Sequence, residues 1–179
     1  MTAMIHPTAL VETDRVGANT NIRAFVHVMP EVTIGADCMI GEHAFLESGA
    51  EVGNGVVIKN NVLIWKGVQI GDYAFIGPNV VFTNDRTPRS PRLPQIQAAH
   101  RTEKDWLRTT VVGEGASIGA NVTVVAGVTI GRFAMVGAGC VVTRNIPDFA
   151  LVAGNPSKLI GWVNELGDRV ERKPNPADL

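Results

Sequence analysis

Asn84 and Asp85 stand side by side at the point where a regular pattern of apolar residues ends. The carboxylate of Asp85 could accept a proton, or it could cap the turn that follows. The side chain of Asn84 carries only an amide, which forms hydrogen bonds but cannot act as a base. The pair therefore offers hydrogen bonds from Asn84, beside an Asp85 that is either a proton acceptor or a turn residue.

A charged segment follows this pair and runs from about residue 84 to residue 110. It contains prolines that prevent continued strand pairing, and it holds six of the 16 Lys and Arg residues of the chain. Insertions into a regular scaffold often carry function. We therefore expect Arg86 and Arg89 to bind an anionic ligand beside Asn84.

The scaffold on both sides of this segment repeats every six residues. Every sixth residue from Leu10 to Phe82 is apolar, and the pattern returns in the same phase from Val112 to Val142. A glycine often follows the apolar residue, as expected for a tight corner. A period of six fits neither a helix of about 3.6 residues per turn nor simple alternation along a strand. It predicts short strands separated by corners in a parallel β-solenoid.

Length, composition and charge limit the possible classes of function. The 179 residues, of which 45% are hydrophobic, suit one domain with a substantial core. A formal net charge of -1 argues against nucleic acid or an anionic membrane as the partner. The N-terminus lacks a basic segment followed by an apolar run, so a cytoplasmic protein is expected.

The repeat resembles the hexapeptide-repeat family over residues 5 to about 156. The resemblance implies an all-β fold, a left-handed parallel β-helix over residues 1–156, interrupted by a loop at about 84–110. In that family three hexads form one coil, so residues 18 positions apart stack on each other. The usual activity is acyl transfer from acyl-CoA, in homotrimers whose active sites lie between neighbouring subunits.

Stacking at 18 positions would bring polar side chains to the corner that leads to Asn84. Counting back from Thr83 and Asn84 reaches Glu47, Trp65 and Lys66. These side chains suit a sugar that presents hydroxyl groups and an amine, together with a base or a diphosphate. They also suit a solvated edge or a contact between subunits. We expect them to bind substrate.

A second corner would stack His43 with Phe25, Asn61 and Asn79. His43 could bind a sugar or act as a base, although a lone histidine on a repeat face more often has a structural role. The remaining histidines form no ladder at a spacing of 18 or 36 residues, so no metal site is expected.

Two stretches resemble the parts of the family that bind coenzyme A. Ala120 and Ala138 are 18 positions apart and, with Gly139, would form a ladder of small residues that lets backbone amides approach the pantetheine arm. Small residues also simply fit corners. The second stretch contains Gly154 and Pro156 and resembles the family ending Gly-x-Pro-Ala-Lys.

The C-terminal residues 157–179 are predicted to form a short α-helix and a polar tail. Asn155 followed by Pro156 is a favourable helix start, and Leu159, Ile160 and other apolar residues follow at helical spacing. The helix N-terminus, together with Lys158, would hold a phosphate of CoA. The helix would also cover the open end of the stack.

The most specific similarity lies in residues 64–67, 76–79 and 82–90. These stretches resemble nucleotide-sugar N-acetyltransferases that act on a 3-amino group, closest to those for dTDP-3-amino-3,6-dideoxyhexoses of surface polysaccharides such as the lipopolysaccharide O-antigen. The resemblance implies acetyl-CoA as co-substrate, no metal, and direct attack by the sugar amine while Asn84 positions it.

Two alternatives remain open at this stage. The acceptor could be a UDP-linked 3-amino glucuronic acid, because enzymes for such sugars share part of the same motif. The chain could also be a serine or xenobiotic acetyltransferase with a histidine base, for which His43 and His100 are the candidates.

Overall fold

The computed structural model describes residues 2–175, which form a solenoid of very short strands with two small helices in one long loop. The helices are α1 (Pro94–Ala98) and α2 (Glu103–Trp106). In chain order the strands are β1 (Met4–Ile5), β2 (Leu10–Val11), β3 (Asn21–Ile22), β4 (His27–Val28), β5 (Thr33–Ile34), β6 (Met39–Ile40), β7 (Phe45–Leu46), β8 (Glu51–Val52), β9 (Val57–Ile58), β10 (Leu63–Ile64), β11 (Val68–Ile70), β12 (Phe75–Ile76), β13 (Val81–Phe82), β14 (Thr110–Val112), β15 (Ser117–Ile118), β16 (Thr123–Val124), β17 (Thr129–Ile130), β18 (Met135–Val136), β19 (Val141–Val142), β20 (Ala150–Ala153), β21 (Lys158–Val163) and β22 (Arg169–Val170).

Three sheets form the sides of the solenoid. Sheet A has the strand order β1-β3-β6-β9-β12-β15-β18-β20-β21-β22, sheet B the order β19-β16-β13-β10-β7-β4-β2, and sheet C the order β17-β14-β11-β8-β5. Successive strands of the chain pass from one sheet to the next, and each pairs in parallel with the strand one coil away. Phe45 lies opposite Leu63, and Leu63 lies opposite Val81. The predicted parallel β-solenoid with 18-residue coils is confirmed.

The hexad positions that were predicted to be apolar form the core. In the central coils, Ile58, Ile64 and Ile76 have no exposed surface. Leu10 belongs to the same series but is 55% exposed, because β2 is the edge strand of sheet B and no further coil covers it. Burial of this apolar series is the main stabilising contribution, as in other solenoids.

The two cysteines fill small-residue positions in the same core. Cys38 and Cys140 are both buried and unpaired. Burial raises the pKa of each thiol, because the thiolate loses its hydration. Both are therefore packing residues rather than nucleophiles.

The corners depend on glycine for a reason that differs from the prediction. The glycine after the aliphatic position does not adopt the left-handed conformation. Residues two positions later adopt it instead, such as Asn79 and Asn121 with φ of 59° and 57°. The glycine is needed because the next coil is too close for a side chain. A Cβ on Gly119 would lie 2.6 Å from the backbone nitrogen of Ala138.

The charged segment leaves the solenoid and returns to it without disturbing the register. Val81 pairs with Thr123, so the whole insertion emerges from a single coil, as the sequence predicted. The two helices inside it were not predicted. Helix α2 begins with a capping box, in which Asp105 accepts hydrogen bonds from the backbone N–H and the hydroxyl of Thr102 at 2.6 and 2.9 Å.

The predicted C-terminal helix is wrong. Strand β20 continues sheet A, and β21 and β22 fold back on it as antiparallel strands. The apolar residues at helical spacing do not form a buried face, since Leu159 and Ile160 are 52% and 48% exposed. The edge of β20 needs hydrogen-bond partners, and strand pairing supplies them better than a helix would. Residues 176–179 of the predicted tail lie outside the described residues.

We expect Gly119→Ala to lower the free energy of unfolding by about 1–3 kcal/mol, the usual cost of overpacking. Gly137→Ala is the matched control, because it occupies the same corner position one coil later and its nearest neighbour would lie 3.3 Å away. Urea denaturation of both variants tests this. Equal destabilisation would show that close approach of the coils is not what requires glycine at position 119.

Candidate active site

Asn84 lies directly after β13, where the inserted loop begins. Its backbone carbonyl accepts the N–H of Arg108 at 2.9 Å, so the two ends of the loop are joined. Its side-chain Nδ2 donates to the carbonyl oxygen of Lys66 at 3.4 Å. That bond is long and uses only one of the two amide hydrogens. The partly buried amide of Asn84 therefore has a defined position and retains hydrogen-bonding capacity for a ligand.

Asp85 has a structural contact within the same turn. Its Oδ1 accepts the backbone N–H of Thr87 at 2.7 Å. This is the turn-capping geometry that was the alternative to a role as proton acceptor. The contact involves one of the two carboxylate oxygens, so it does not by itself decide between the two roles.

A cleft of about 340 Å³ is formed by this pair together with later residues of the inserted loop. It combines an amide, a carboxylate and two guanidinium groups with an apolar wall. The residues that line it are Asn84, Asp85, Arg89, Pro91, Ile96, Arg101 and Trp106. Sequence reasoning identified the first three of these. It missed the other four because the six-residue repeat, which allows neighbours to be assigned, is absent from the loop.

Glu47, Trp65 and Lys66 do lie on the corner that leads to Asn84, as the stacking rule predicted, but they contact the protein itself. Glu47 Oε2 accepts the backbone N–H of Lys66 at 2.8 Å. The Lys66 ammonium donates to Glu103 on α2 at 2.8 Å, and this hydrogen bond raises the pKa of Lys66. The ring of Trp65 packs on Phe45, with the centroids 5.4 Å apart. This corner anchors the loop, and its binding of substrate stays a prediction.

Arg86 faces the next coil instead of the cleft. Its Nε donates to the carbonyl oxygen of Ala126 at 2.7 Å, and its Nη2 donates to that of Gly127 at 3.3 Å. Arg86 is absent from the cleft lining, whereas Arg89 is part of it. The geometry therefore favours Arg89 over Arg86 as a ligand for an anion.

The predicted CoA-binding residues come together on another corner, between sheets A and B. Ala120 accepts the N–H of Gly139 at 2.8 Å, which stacks the small residues of successive coils. A Cβ built on Gly139 would meet no atom within 4 Å, so the backbone there is open to a ligand. Val141, the first residue of β19, accepts the N–H of Ser157 and donates to the carbonyl of Gly154. The stretch of residues 154–158 thus adjoins the ladder.

Lys158 is the first residue of strand β21, not a residue in the first turn of a helix. The predicted helix N-terminus for a CoA phosphate therefore does not exist. The peptide bond between Asn155 and Pro156 is cis, in the turn that joins β20 to β21. Lys158 is exposed. Of the two predicted features for binding a phosphate, the helix N-terminus is absent and the charge of Lys158 is present.

His43 also lies on the corner between sheets A and B. Its ring stacks on Phe25, with centroids 5.0 Å apart and an interplanar angle of 13°. Asn84 is on the corner between sheets B and C. The two corners lie at opposite ends of a strand of sheet B. About five residues of extended chain separate them, which corresponds to a distance of roughly 16 Å. Within one chain, His43 and the alanine ladder are therefore not part of the cleft around Asn84.

Among residues 2–175, no three His, Cys, Asp or Glu side chains are grouped so that they could hold a metal ion. In the same part of the chain, neither helix has the length and apolar character needed to cross a membrane.

The family model "Bacterial transferase hexapeptide (six repeats)" matches residues 15–48, 49–84 and 109–144. The chain belongs to this hexapeptide-repeat transferase family.

Its relatives include sugar N-acetyltransferases. The dTDP-3-amino-3,6-dideoxy-alpha-D-galactopyranose 3-N-acetyltransferase of Aneurinibacillus thermoaerophilus is 47% identical over 176 residues, which are 98% of this chain and 86% of the relative. The resemblance to nucleotide-sugar N-acetyltransferases is confirmed.

Two solved structures share the fold. One is a perosamine N-acetyltransferase variant from Caulobacter crescentus in complex with CoA and GDP-perosamine, with 28% identity, a TM-score of 0.50 and 90% of this chain covered. The present chain spans 57% of that chain. The other is a hexapeptide-repeat acetyltransferase from Vibrio cholerae complexed with acetyl-CoA, with 25% identity, a TM-score of 0.50 and coverage of 87% of this chain and 73% of that one.

We expect Glu103→Gln to make the loop more sensitive to trypsin by several-fold, while the melting temperature changes little, because the pair with Lys66 is exposed. Since the pKa of Lys66 is raised from 10.5, the pair persists at neutral pH and is lost only as the pH rises through that raised pKa. Glu114→Gln, which breaks an exposed pair with Arg132 outside the loop, is the control. Identical digestion of both variants would contradict the anchoring role.

Proposed function

We propose that this chain transfers the acetyl group of acetyl-CoA to the 3-amino group of a dTDP-linked 3-amino-3,6-dideoxyhexose, with the galacto sugar as the first candidate. The observation that carries the proposal is the position of Asn84, which is hydrogen-bonded to Lys66 and lines a cleft, in a chain that is 47% identical to an enzyme with that activity. The product would serve surface-polysaccharide biosynthesis. A cytoplasmic location, where acetyl-CoA is available, is part of the proposal.

In the proposed reaction the neutral sugar amine attacks the thioester carbonyl, and the CoA thiolate leaves after a tetrahedral oxyanion has formed. Asn84 holds the amine or the carbonyl by hydrogen bonds, and open backbone N–H groups stabilise the oxyanion. The amine proton finally passes to the departing sulfur, so a strong protein base is not required. Proximity and orientation supply much of the rate, up to about 7–11 kcal/mol in well-aligned systems.

The CoA side of the site would be the corner with the alanine ladder. The backbone at Ala120, Ala138 and Gly139 is covered only by small side chains, which suits close approach of the pantetheine arm. Gly154 and Ser157, on either side of Pro156, hydrogen-bond to Val141 of β19, two residues after Gly139. Lys158 provides a positive charge for a phosphate of CoA.

A second copy of the chain would complete the site, and we propose a homotrimer. The acceptor side around Asn84 and the CoA side around Ala120 lie at opposite edges of sheet B. The outer face of that sheet is apolar and only partly buried, with residues such as Phe45, Leu63 and Val81. Three copies that turn this face toward a common axis would bring the Asn84 corner of one copy to the Ala120 corner of the next.

The substrate is tested by a CoA-release assay with acetyl-CoA and three acceptors: dTDP-3-amino-3,6-dideoxygalactose, the gluco epimer, and a UDP-linked 3-amino glucuronate. We expect turnover with the dTDP sugars, fastest with the galacto epimer. Exclusive use of the UDP sugar would transfer the assignment to the uronic acid. Absence of turnover with all three would refute the proposed substrate class.

The role of Asn84 is tested by Asn84→Ala, for which we expect kcat/KM to fall by about 10²-fold, the scale for one donor at a reacting centre. Asp85→Asn is the companion variant, since the amide oxygen can still accept the N–H of Thr87. We expect it to retain most of kcat. Full activity of Asn84→Ala would exclude the positioning role, and a lost kcat with an altered pH profile in Asp85→Asn would identify Asp85 as the proton acceptor.

A further inference from the structure

Several residues that line the cleft have no role in the proposed transfer chemistry. They form a wall of the cleft within the inserted loop and include Arg89, Arg101 and Trp106. We propose that this wall is the subsite for the nucleoside diphosphate of the acceptor, with the two arginines binding the diphosphate and Trp106 contacting the base. The inference rests on the proposed function, which it makes more specific.

The basic residues of the loop have distinct roles. Arg86 donates to backbone carbonyls of the next coil, and Arg108 donates to two carbonyl oxygens of its own loop at 2.9 and 3.1 Å. Arg92 is exposed and does not line the cleft. Of this cationic group, only Arg89 and Arg101 line the cleft, and Arg89 also donates from Nη1 to the carbonyl oxygen of Pro88 at 2.8 Å. Two guanidinium groups at one opening are the arrangement that binds phosphate oxygens best.

The acidic residues around the cleft form contacts of their own, although Asp85 itself lines the cleft. Asp85 accepts an N–H of its own turn at 2.7 Å, Glu103 pairs with Lys66 at 2.8 Å, and Asp105 caps α2. The pKa of Asp105 lies below its ordinary value of 3.8 because Asp105 accepts two hydrogen bonds from Thr102. The bond from the backbone N–H has the larger effect and the bond from the hydroxyl the smaller one. Within residues 2–175, neither Arg89 nor Arg101 has a carboxylate within ion-pair distance, although the Arg101 guanidinium also contributes to the lowered pKa of Asp105. Their charges therefore remain available to an anionic ligand.

Trp106 is the last residue of α2 and is partly buried. Trp65 packs on Phe45 and Trp162 lies under the Lys173 ammonium. Trp106, by contrast, makes no ring–ring or cation–π contact with residues 2–175.

An indole that faces a cationic cleft without an aromatic partner suits stacking against a nucleobase. The apolar side chains of Pro91 and Ile96 continue the wall beside it. The cleft of about 340 Å³ is in the size range of small-molecule sites.

Binding to the full-length protein without acetyl-CoA tests this subsite. Isothermal titration with dTDP, UDP and inorganic pyrophosphate is measured for the wild type, Arg101→Gln and Trp106→Leu. We expect each substitution to raise the Kd of dTDP by about tenfold or more, the scale for a charge-assisted hydrogen bond or a stacked base. Pyrophosphate affinity should fall in Arg101→Gln and stay unchanged in Trp106→Leu. Arg92→Gln is the matched control and should bind dTDP as the wild type does.

Three outcomes separate the subsite from the proposed reaction. An unchanged Kd of dTDP in both Arg101→Gln and Trp106→Leu overturns the subsite, even if the wild type acetylates the dTDP sugar. An equal loss in Arg92→Gln also overturns it, because general charge would then explain binding. Loss of dTDP affinity in the cleft variants supports the subsite even if the wild type acetylates no amino sugar. That result would refute the proposed reaction but not the subsite.

Discussion

Backbone hydrogen bonds between successive coils fix the spacing of the coils in this protein, and at several corners the coils then lie too close together for any residue but glycine. At Gly119, a Cβ would lie 2.6 Å from the nitrogen of the next coil. The same close contact keeps the 18-residue register, so equivalent residues of successive coils lie above one another. The position of a residue in the repeat therefore determines its corner and its height. This is why Lys66 lies within hydrogen-bond distance of Asn84.

The inserted loop is where the chain departs from this rule, and its attachments to the solenoid replace the missing register. It is closed by the bond between the Asn84 carbonyl and the Arg108 N–H, and it is tied to the corner below by Lys66 and Glu103 and to the coil above by Arg86. Side chains that would otherwise be candidates for ligand binding are used in these contacts. The groups left facing the cleft are the ones on which the proposed acceptor specificity depends. The family model matches the solenoid on both sides of this loop but leaves out residues 85–108.

The proposed chemistry follows from where the two halves of the site lie. The amide of Asn84 and the exposed backbone of the alanine ladder are separated by the width of sheet B, and a side chain of one copy cannot bridge that distance. A trimer that places one half opposite the other would hold the amine and the thioester together without a strong base. Such a site achieves its rate mainly by positioning. The rigid, closely stacked coils suit that task because the distance between the two corners cannot vary much.

The sequence alone determined the solenoid, because its six-residue period is a direct record of which side chains enter the core. With the coil of three hexads that the family resemblance implied, the sequence also determined the corner shared by Glu47, Trp65 and Asn84 and the grouping of Ala120, Ala138 and Gly139. Tertiary structure decided what register does not encode. The C-terminal residues formed strands because the open edge of β20 required partners, despite a helical spacing of apolar residues. Arg101 and Trp106 line the same cleft as Asn84 because the loop folds into two short helices. Helix α1 begins with a proline and α2 with a capping box, and the six-residue repeat does not predict either of them.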